Sequence, residues 1–347
     1  MINASIIGAN GYTGLELLKI LSLHKYVNIK RIVSKSNAGT KICEMYPQLE
    51  ALTGKTFDDL DLKEIAKSDA VFCALPHGVS ARICSDLLKQ NCALKIIDLS
   101  ADFRYNDVNI YQEVYGCSHP DPELLKTAVY GLPEIYFDKI KAAKIVANPG
   151  CYTTCSILSL YPLVKEKLIN ADSIIIDAKS GVSGAGKKAE AAYGFCEINE
   201  NFSAYAVTTH RHTSEIEQEI SKAAGKKIQL SFTPHLLPIQ RGILSTIYCD
   251  LAKDTKEKDI SSAYKKHYEN TPFIFVNDTG LMPHIKEVKN TNNLKIGYKI
   301  DYRLNKLILV SVLDNLVKGA SGQAMQNMNI MFGLNQNEGL NFISNYI

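Results

Sequence analysis

The chain's first fourteen residues narrow its fold choices more than any other stretch. Ala4–Ile7 is an apolar run that reads as a strand. It passes without a spacer into Gly8-Ala9-Asn10-Gly11-Tyr12-Thr13-Gly14. Gly14–His24 then places Leu15, Leu18 and Leu21/Leu23 at helical spacing. A strand that turns straight into a helix gathers the helix's first, unbonded backbone N–H groups at one point. Glycines let another backbone or a phosphate approach that point closely. The spacing is GxxGxxG, not GxGxxG, so the strand–turn–helix setting carries the reading of a dinucleotide site over that of a plain structural loop.

The first half continues in the same rhythm. Ile29–Val33, Ala70–Leu75 and Lys95–Leu99 read as strands, Val79–Gln90 as a helix, and Lys144–Ala147 as the last strand of the series. Strands separated by helix-length segments predict βαβ units and a parallel sheet. The second strand ends in Ser34-Lys35-Ser36, where an acidic residue would have suited the ribose hydroxyls of NAD. A cation with two hydroxyls suits a 2′-phosphate, which favours NADP(H). Beyond residue 150 the texture changes. Ser173–Ala178, Lys227–Thr233, Ile243–Asp250, Phe273–Val276, Leu294–Tyr302 and Lys306–Leu313 are strand candidates with fewer helices between them. They predict an α+β domain with a mixed or antiparallel sheet. Cys151–Leu168, Thr213–Gly225 and Leu316–Phe332 are its helices.

At 347 residues and 46% hydrophobic content the chain has material for two domains. Its net charge of +3, with both signs interspersed, gives no reason to expect a nucleic-acid partner. Nine cysteines form no CxxC pair and no zinc-like spacing, so no metal is expected and a reducing, cytoplasmic setting is. The N-terminus lacks a signal-like pattern and no apolar run has membrane-spanning length, so no membrane association is expected.

One cysteine differs from the other eight. Asn148-Pro149-Gly150-Cys151-Tyr152 follows a strand and precedes an apolar helix, which puts Cys151 at a helix N-terminus. There the dipole and free N–H groups stabilise a thiolate, the nucleophile of thioester chemistry. Pro149-Gly150 reads as a fixed turn, and Cys155 faces the core one turn later. Cys73, Cys84, Cys92 and Cys249 read as packing. A proton carrier is at hand in His210-Arg211-His212-Thr213-Ser214-Glu215, where His212 and Glu215 share a helix face and His210 is close enough to serve the same pocket. His24, His119, His267 and His284 read as surface or structural, and His77 and His235 as loop-lining. Arg104, in Asp98-Leu99-Ser100-Ala101-Asp102-Phe103-Arg104 at the end of a strand, suits a phosphate or carboxylate, unless Asp102 takes it as an ion-pair partner. Ser180 to Lys188 forms a second glycine-rich anion loop without the GxxxxGK[ST] spacing of an ATP site.

Taken in order, GANGYTG at 8–14, LPHG at 75–78, DLSADFR at 98–104, YGLPE at 130–134, NPGCY at 148–152, SGVSGAGK at 180–187, HRHTSEIEQ at 210–218, FTPHLLP at 232–238 with RGI at 241–243, and DNLVKGASGQAMQNMN at 314–329 resemble the N-acetyl-gamma-glutamyl-phosphate reductases. The resemblance implies a semialdehyde dehydrogenase-like chain: an NADP-binding Rossmann-type domain over 1–148, and a catalytic and oligomerisation domain over 149–315. A C-terminal helix over 316–347 returns to the first domain. It implies reduction of an acyl phosphate by NADPH, with release of inorganic phosphate, in a dimer or tetramer. Cys151 is the implied nucleophile, with His212 and His210 as acid/base. Arg104, Tyr205, Glu215 and Ser180 are implied for the substrate. The cofactor is expected at Gly8, Asn10, Gly11, Tyr12, Thr13, Gly14, Ser34, Lys35, Ser36, Pro76, His77, Gly78, Gly184 and Asn315. The chain departs from the family at Thr153 and Ser214, where proline is usual, and at Ile239, where methionine is. A reductase for aminoadipyl or aspartyl phosphate, and a non-catalytic NADP sensor, are the alternatives.

Overall fold

In the computed structural model, which describes residues 1–187 and 190–344, the chain divides into two units. Met1–Pro149 and Ala320–Asn341 form the first; Gly150–Gly319 and the residues from Phe342 form the second.

The first unit is built on six strands: β1 (Ile2–Ile7), β2 (Val27–Val33), β3 (Ala70–Cys73), β4 (Lys95–Asp98), β5 (Val129–Tyr130) and β6 (Ile145–Ala147). Every pairing is parallel, in the order β2-β1-β3-β4-β6-β5. β3 is buried at all four positions, as a strand covered on both faces must be. Because β2 and β3 flank β1, the chain reverses its direction of growth there, and the loops after β1 and β3 meet at a switch point. The first helix starts at Tyr12, two residues before the sequence suggests, so Tyr12 and Thr13 belong to its first turn. Helices Val108–Tyr115, Pro122–Thr127 and Pro133–Ala142 and the two-residue β5 were not anticipated; the last two helices open on proline, where a missing N–H costs nothing.

The second unit holds β7 (Ile175–Gly181), β8 (Ser203–Ala204), β9 (Ser231–Leu237), β10 (Ile243–Asp250), β11 (Ile274–Val276), β12 (Leu294–Asp301) and β13 (Lys306–Leu313). The order is β11-β12-β13-β10-β7-β9-β8, with β11–β12 and β7–β9 parallel and the rest antiparallel. The sheet is thus mixed. β10 alternates buried and half-buried residues along its whole length, so one face carries the core and the other is only partly covered. Cys151–Lys165 lies on the core face against β10 and β13, flanked by His212–Ala224 and Glu257–Tyr268. The last helix was missed, although Ile260, Ala263, Tyr264 and Tyr268 are its buried face at helical spacing.

The expected helix over 316–347 is corrected. A π-turn, Val317–Ser321, leads into Gly322–Met331, and the chain is not helical from Phe332 to Ser344. Gly333, at φ 70°, ends the helix, and Leu334 N–H returns to Asn329 O at 2.8 Å. The helix is buried at all ten positions and packs on β4. Two of its buried asparagines are bonded: Asn329 meets His24 Nε2 at 3.1 Å, and Asn327 donates to Gly131 O at 3.0 Å. Lys188 and the final positions 345–347 lie outside the described residues.

Candidate active site

Cys151 is the first residue of its helix, with Gly150 as the N-cap. The positive end of the helix dipole therefore lies beside its sulfur. Gly150 has φ −70° and ψ 156°, a conformation open to any residue, so the turn itself does not call for glycine. The neighbour does. A Cβ at 150 would stand 2.7 Å from Cε1 of His212, and closer still to Nε2. The imidazole thus lies edge-on against the backbone that carries Cys151. From the other side Gly319 closes in, where a Cβ would be 2.7 Å from the Cβ of Cys151. Gly319 is delivered by the π-turn, which Asp314 anchors. Its carboxylate accepts N–H groups from Asn290 (2.6 Å) and Leu316 (2.9 Å) and pairs with Arg241 at 3.3 Å.

Glu215, 1% exposed, ties the two helix starts together. Its Oε1 accepts the Gly150 N–H at 3.1 Å and the Thr153 hydroxyl at 3.0 Å. Thr153 also donates to Gly150 O at 2.6 Å. A carboxylate held at the start of the cysteine helix complements the positive end of its dipole. His210 and His212 are 4.7 Å apart between ring centroids, and Tyr152 packs against both. His210 Nδ1 accepts the His212 backbone N–H at 3.1 Å. Burial, followed by the neighbouring Arg211 charge, lowers its proton affinity to a pKa of about 4, so His210 is neutral near pH 7. Tyr152 donates to His235 O at 3.1 Å, and Tyr205 donates to Tyr152 at 3.2 Å. With its proton spent there, Tyr205 offers lone pairs to anything that meets it.

These groups line a cavity of about 550 Å³ within the second unit. Cys151, Tyr152, His210, His212 and Arg211 share its wall with Ser180, Gly184, Tyr193, Glu197, Asn201, Ser203, Tyr205 and Leu236. The loop after β7 is not the phosphate cradle its glycines suggest. N–H groups of Gly181, Val182, Ser183 and Gly186 go to the carbonyls of Gly242, Ile239, Gln240 and Ser183. Asn315 fastens the loop: its side chain accepts Gly242 N–H at 2.7 Å and donates to Ser183 at 2.9 Å. Among the described residues no group of three or more His, Cys, Asp or Glu is arranged to hold a metal ion.

In the first unit, Gly8 has φ +87°, and a side chain there would run into the Ala74 carbonyl. A Cβ at Gly14 would lie 2.7 Å from Ala9 C. Gly8 and Gly14 are therefore obligatory, one for conformation and both for close approach, whereas Gly11 has room. The open helix start at Tyr12, Thr13 and Gly14 fits a dinucleotide pyrophosphate. Asn37, which the sequence reading passed over, organises the end of β2: its Oδ1 accepts from Asn10 (2.7 Å), Ser34 (3.2 Å) and Ser36 (3.0 Å). Ser34 is buried, while Lys35 and Ser36 are exposed. Asp102 bonds Gly78 N–H at 2.7 Å, Ala81 N–H at 2.9 Å and the Tyr111 hydroxyl at 3.2 Å, which shapes the Pro76-His77-Gly78 turn. Arg104, 8% exposed, donates to Leu99 O at 3.1 Å.

Residues 3–143 match the family model described as semialdehyde dehydrogenase, NAD binding domain, and 151–315 the one described as semialdehyde dehydrogenase, dimerisation domain. A protein from Caldicellulosiruptor saccharolyticus named N-acetyl-gamma-glutamyl-phosphate reductase is 50% identical over 349 residues, covering 100% of both chains. The chain belongs to the N-acetyl-gamma-glutamyl-phosphate reductase family. A relative of the same name from Acetivibrio thermocellus is 47% identical over 98% of each chain. The fold recurs in aspartate semialdehyde dehydrogenase II of Vibrio cholerae, solved with ASA, at a TM-score of 0.73 and 17% identity over 96% of this chain and 98% of that one. It also recurs in the Candida albicans aspartate semialdehyde dehydrogenase with NADP, at 0.67 and 16%, over 96% and 98%.

Against that family pattern, Thr153 stands where proline is usual, in the first turn of the cysteine helix, and its hydroxyl donates to Gly150 O and Glu215 Oε1. Ser214 likewise stands in the first turn of helix His212–Ala224, and its hydroxyl donates to Arg211 O at 3.1 Å. Among the other cysteines, Cys155 is buried beside Ser311, and burial raises its thiol to about 11. Cys73 and Cys84 are buried side by side, and burial raises Cys249 to about 12. Cys92 is exposed, which corrects its reading as packing. Gly319 and Tyr152 were missed as parts of the site, although small residues at 319–322 and the NPGCY block were both on view.

Proposed function

We propose that the chain reduces N-acetyl-L-glutamyl 5-phosphate to N-acetyl-L-glutamate 5-semialdehyde and phosphate, using NADPH, in arginine biosynthesis. The observation that carries this is a cysteine at a helix start with an imidazole edge against the preceding glycine.

Cys151 Sγ, favoured as thiolate by the helix dipole, attacks the acyl carbon, and the C–O bond to phosphate breaks to leave a thioester. The first-turn N–H groups face the oxygen that becomes negative. NADPH, when bound, supplies the hydride for the reduction step. The thiohemiacetal then expels the Cys151 thiolate as the aldehyde forms, and His212 manages the proton on that oxygen. Neutral His210 holds His212 in place through its Nδ1 and can itself be protonated only in acid. Arg104 receives an anionic group of the substrate. Glu215 orients the mouth of the cysteine helix, and Ser180 and Tyr205 contact the substrate. In the first unit, Gly8, Asn10, Gly11, Tyr12, Thr13 and Gly14 hold the pyrophosphate, Ser34, Lys35 and Ser36 the 2′-phosphate side, and Pro76, His77 and Gly78 line the cofactor. Gly184 and Asn315 approach the nicotinamide.

The domains divide the work: 1–148 for the cofactor and 149–315 for catalysis and assembly into a dimer or tetramer. The half-covered face of the seven-stranded sheet suits a second copy. No helix among the described residues is long and apolar enough to cross a membrane, and nine free thiols suit the cytoplasm.

The test is NADPH oxidation with N-acetylglutamyl phosphate, with and without thiol alkylation. Turnover lost on alkylation and in Cys151→Ser supports the proposal. Undiminished turnover in Cys151→Ser, or preference for aspartyl or aminoadipyl phosphate, overturns it.

A further inference from the structure

The cavity beside Cys151 is larger than the reacting acyl carbon requires, and several polar side chains line it. Arg211 is the one lysine or arginine among the described residues that line it. Of the two histidines that line it, His210 adds no full charge near pH 7, because burial lowers its proton affinity. Glu197 lines the same space with the opposite sign. A ligand with a carboxylate at one point and an N–H at another would therefore bind in one orientation. Its carboxylate goes to Arg211 and away from Glu197, and its N–H meets acceptors such as Tyr205 Oη, whose own proton is spent on Tyr152.

We propose that Arg211 binds the α-carboxylate of the substrate and so sets the preference for an N-acylated amino acid over a simple acyl chain. This rests on the proposed function and adds to it the part of the site that reads the amino-acid end. The guanidinium has five N–H donors in a planar fork, so it can take a carboxylate in two-point contact while keeping protein partners. Arg211 precedes the first turn of the thirteen-residue histidine helix. A carboxylate there is also favoured by the dipole. The same carboxylate would offset the Arg211 charge that now holds down the proton affinity of His210.

The experiment follows phosphate-dependent, NADP-linked oxidation of two aldehydes. N-acetylglutamate 5-semialdehyde carries the α-carboxylate, and 4-acetamidobutanal has hydrogen in its place. The quantity read is the ratio of their kcat/KM values in the wild type, Arg211→Gln and Arg211→Lys. The wild type should prefer the carboxylated aldehyde by about 100-fold, Arg211→Gln by less than about 3-fold, and Arg211→Lys by an intermediate factor, since it keeps charge but not the fork. A wild-type ratio retained in Arg211→Gln, even with both rates lowered, overturns the assignment. So does a loss expressed only as a raised KM for phosphate. A wild type that oxidises neither aldehyde with phosphate and NADP refutes the proposed function itself, a result distinct from either.

Discussion

Replacing Gly150 by alanine adds one methyl group at the point where His212 touches the cysteine loop. The backbone there accepts alanine without strain. The new Cβ, however, would sit 2.7 Å from Cε1 and 2.9 Å from Cδ2 of the imidazole. Carbon atoms in contact prefer about 3.5–4.0 Å, so the ring must withdraw by about 1 Å. Misplacing a reacting group by about 1 Å costs on the order of 100-fold in rate. Overpacking of this kind costs about 1–3 kcal/mol of stability, which a folded chain survives. Gly150→Ala should therefore lower kcat on the order of 100-fold and change the semialdehyde KM by less than about threefold. NADP-linked oxidation of the semialdehyde measures both. The alkylation rate of Cys151 by iodoacetamide should stay within about threefold, because the methyl displaces the imidazole and not the sulfur. Gly319→Ala, pressed against the Cys151 Cβ, should instead slow turnover and alkylation together. A folded Gly150→Ala protein with wild-type kcat would refute the role given to the His212 contact.

His210 should make the protein acid-sensitive. Its folded pKa, about 4, lies below the usual 6.5, so below about pH 6.5 the unfolded chain takes up a proton that the folded chain refuses. Stability from this residue is complete above about pH 6.5 and is lost as pH falls toward about 4, and His210→Gln should show a flatter melting temperature over that window. Equal slopes in the two proteins would count against the buried neutral imidazole. Limited iodoacetamide at neutral pH should inactivate in step with modification of Cys151 and leave the buried Cys155 unlabelled, as read by peptide mass spectrometry; inactivation that tracks an exposed thiol such as Cys196 would contradict this. Lys35→Ala should weaken NADPH by about tenfold and NADH little, and equal losses in binding titrations would remove the 2′-phosphate contact.

The parallel sheet was legible because each of its units is local. β3 is a single four-residue buried run, and the glycine turn follows β1 with no residue between. Ile243–Asp250 was likewise readable as a strand, and the elbow at Asn148–Tyr152 placed Cys151 at a helix start. Helix Glu257–Tyr268 was legible too, in its buried spacing, and was simply passed over.

What local pattern could not supply was the reason for particular residues. Gly150 looked like a turn residue, yet its missing side chain makes room for His212, 62 positions away. The loop after β7 looked like an anion cradle until the 239–242 segment took its N–H groups. Gly322–Met331 is buried at all ten positions, and Gly131 and His24, both far away in the chain, bond its asparagines. Pattern along the chain was enough for the main strands and for the sulfur that heads a helix, since those follow from neighbouring residues; it did not announce helices such as Val108–Tyr115 or the end of the last helix at Met331. Tertiary structure alone decided which imidazole meets that sulfur's backbone and which glycines are obligatory, because close approach is set by atoms that only the folded chain brings together.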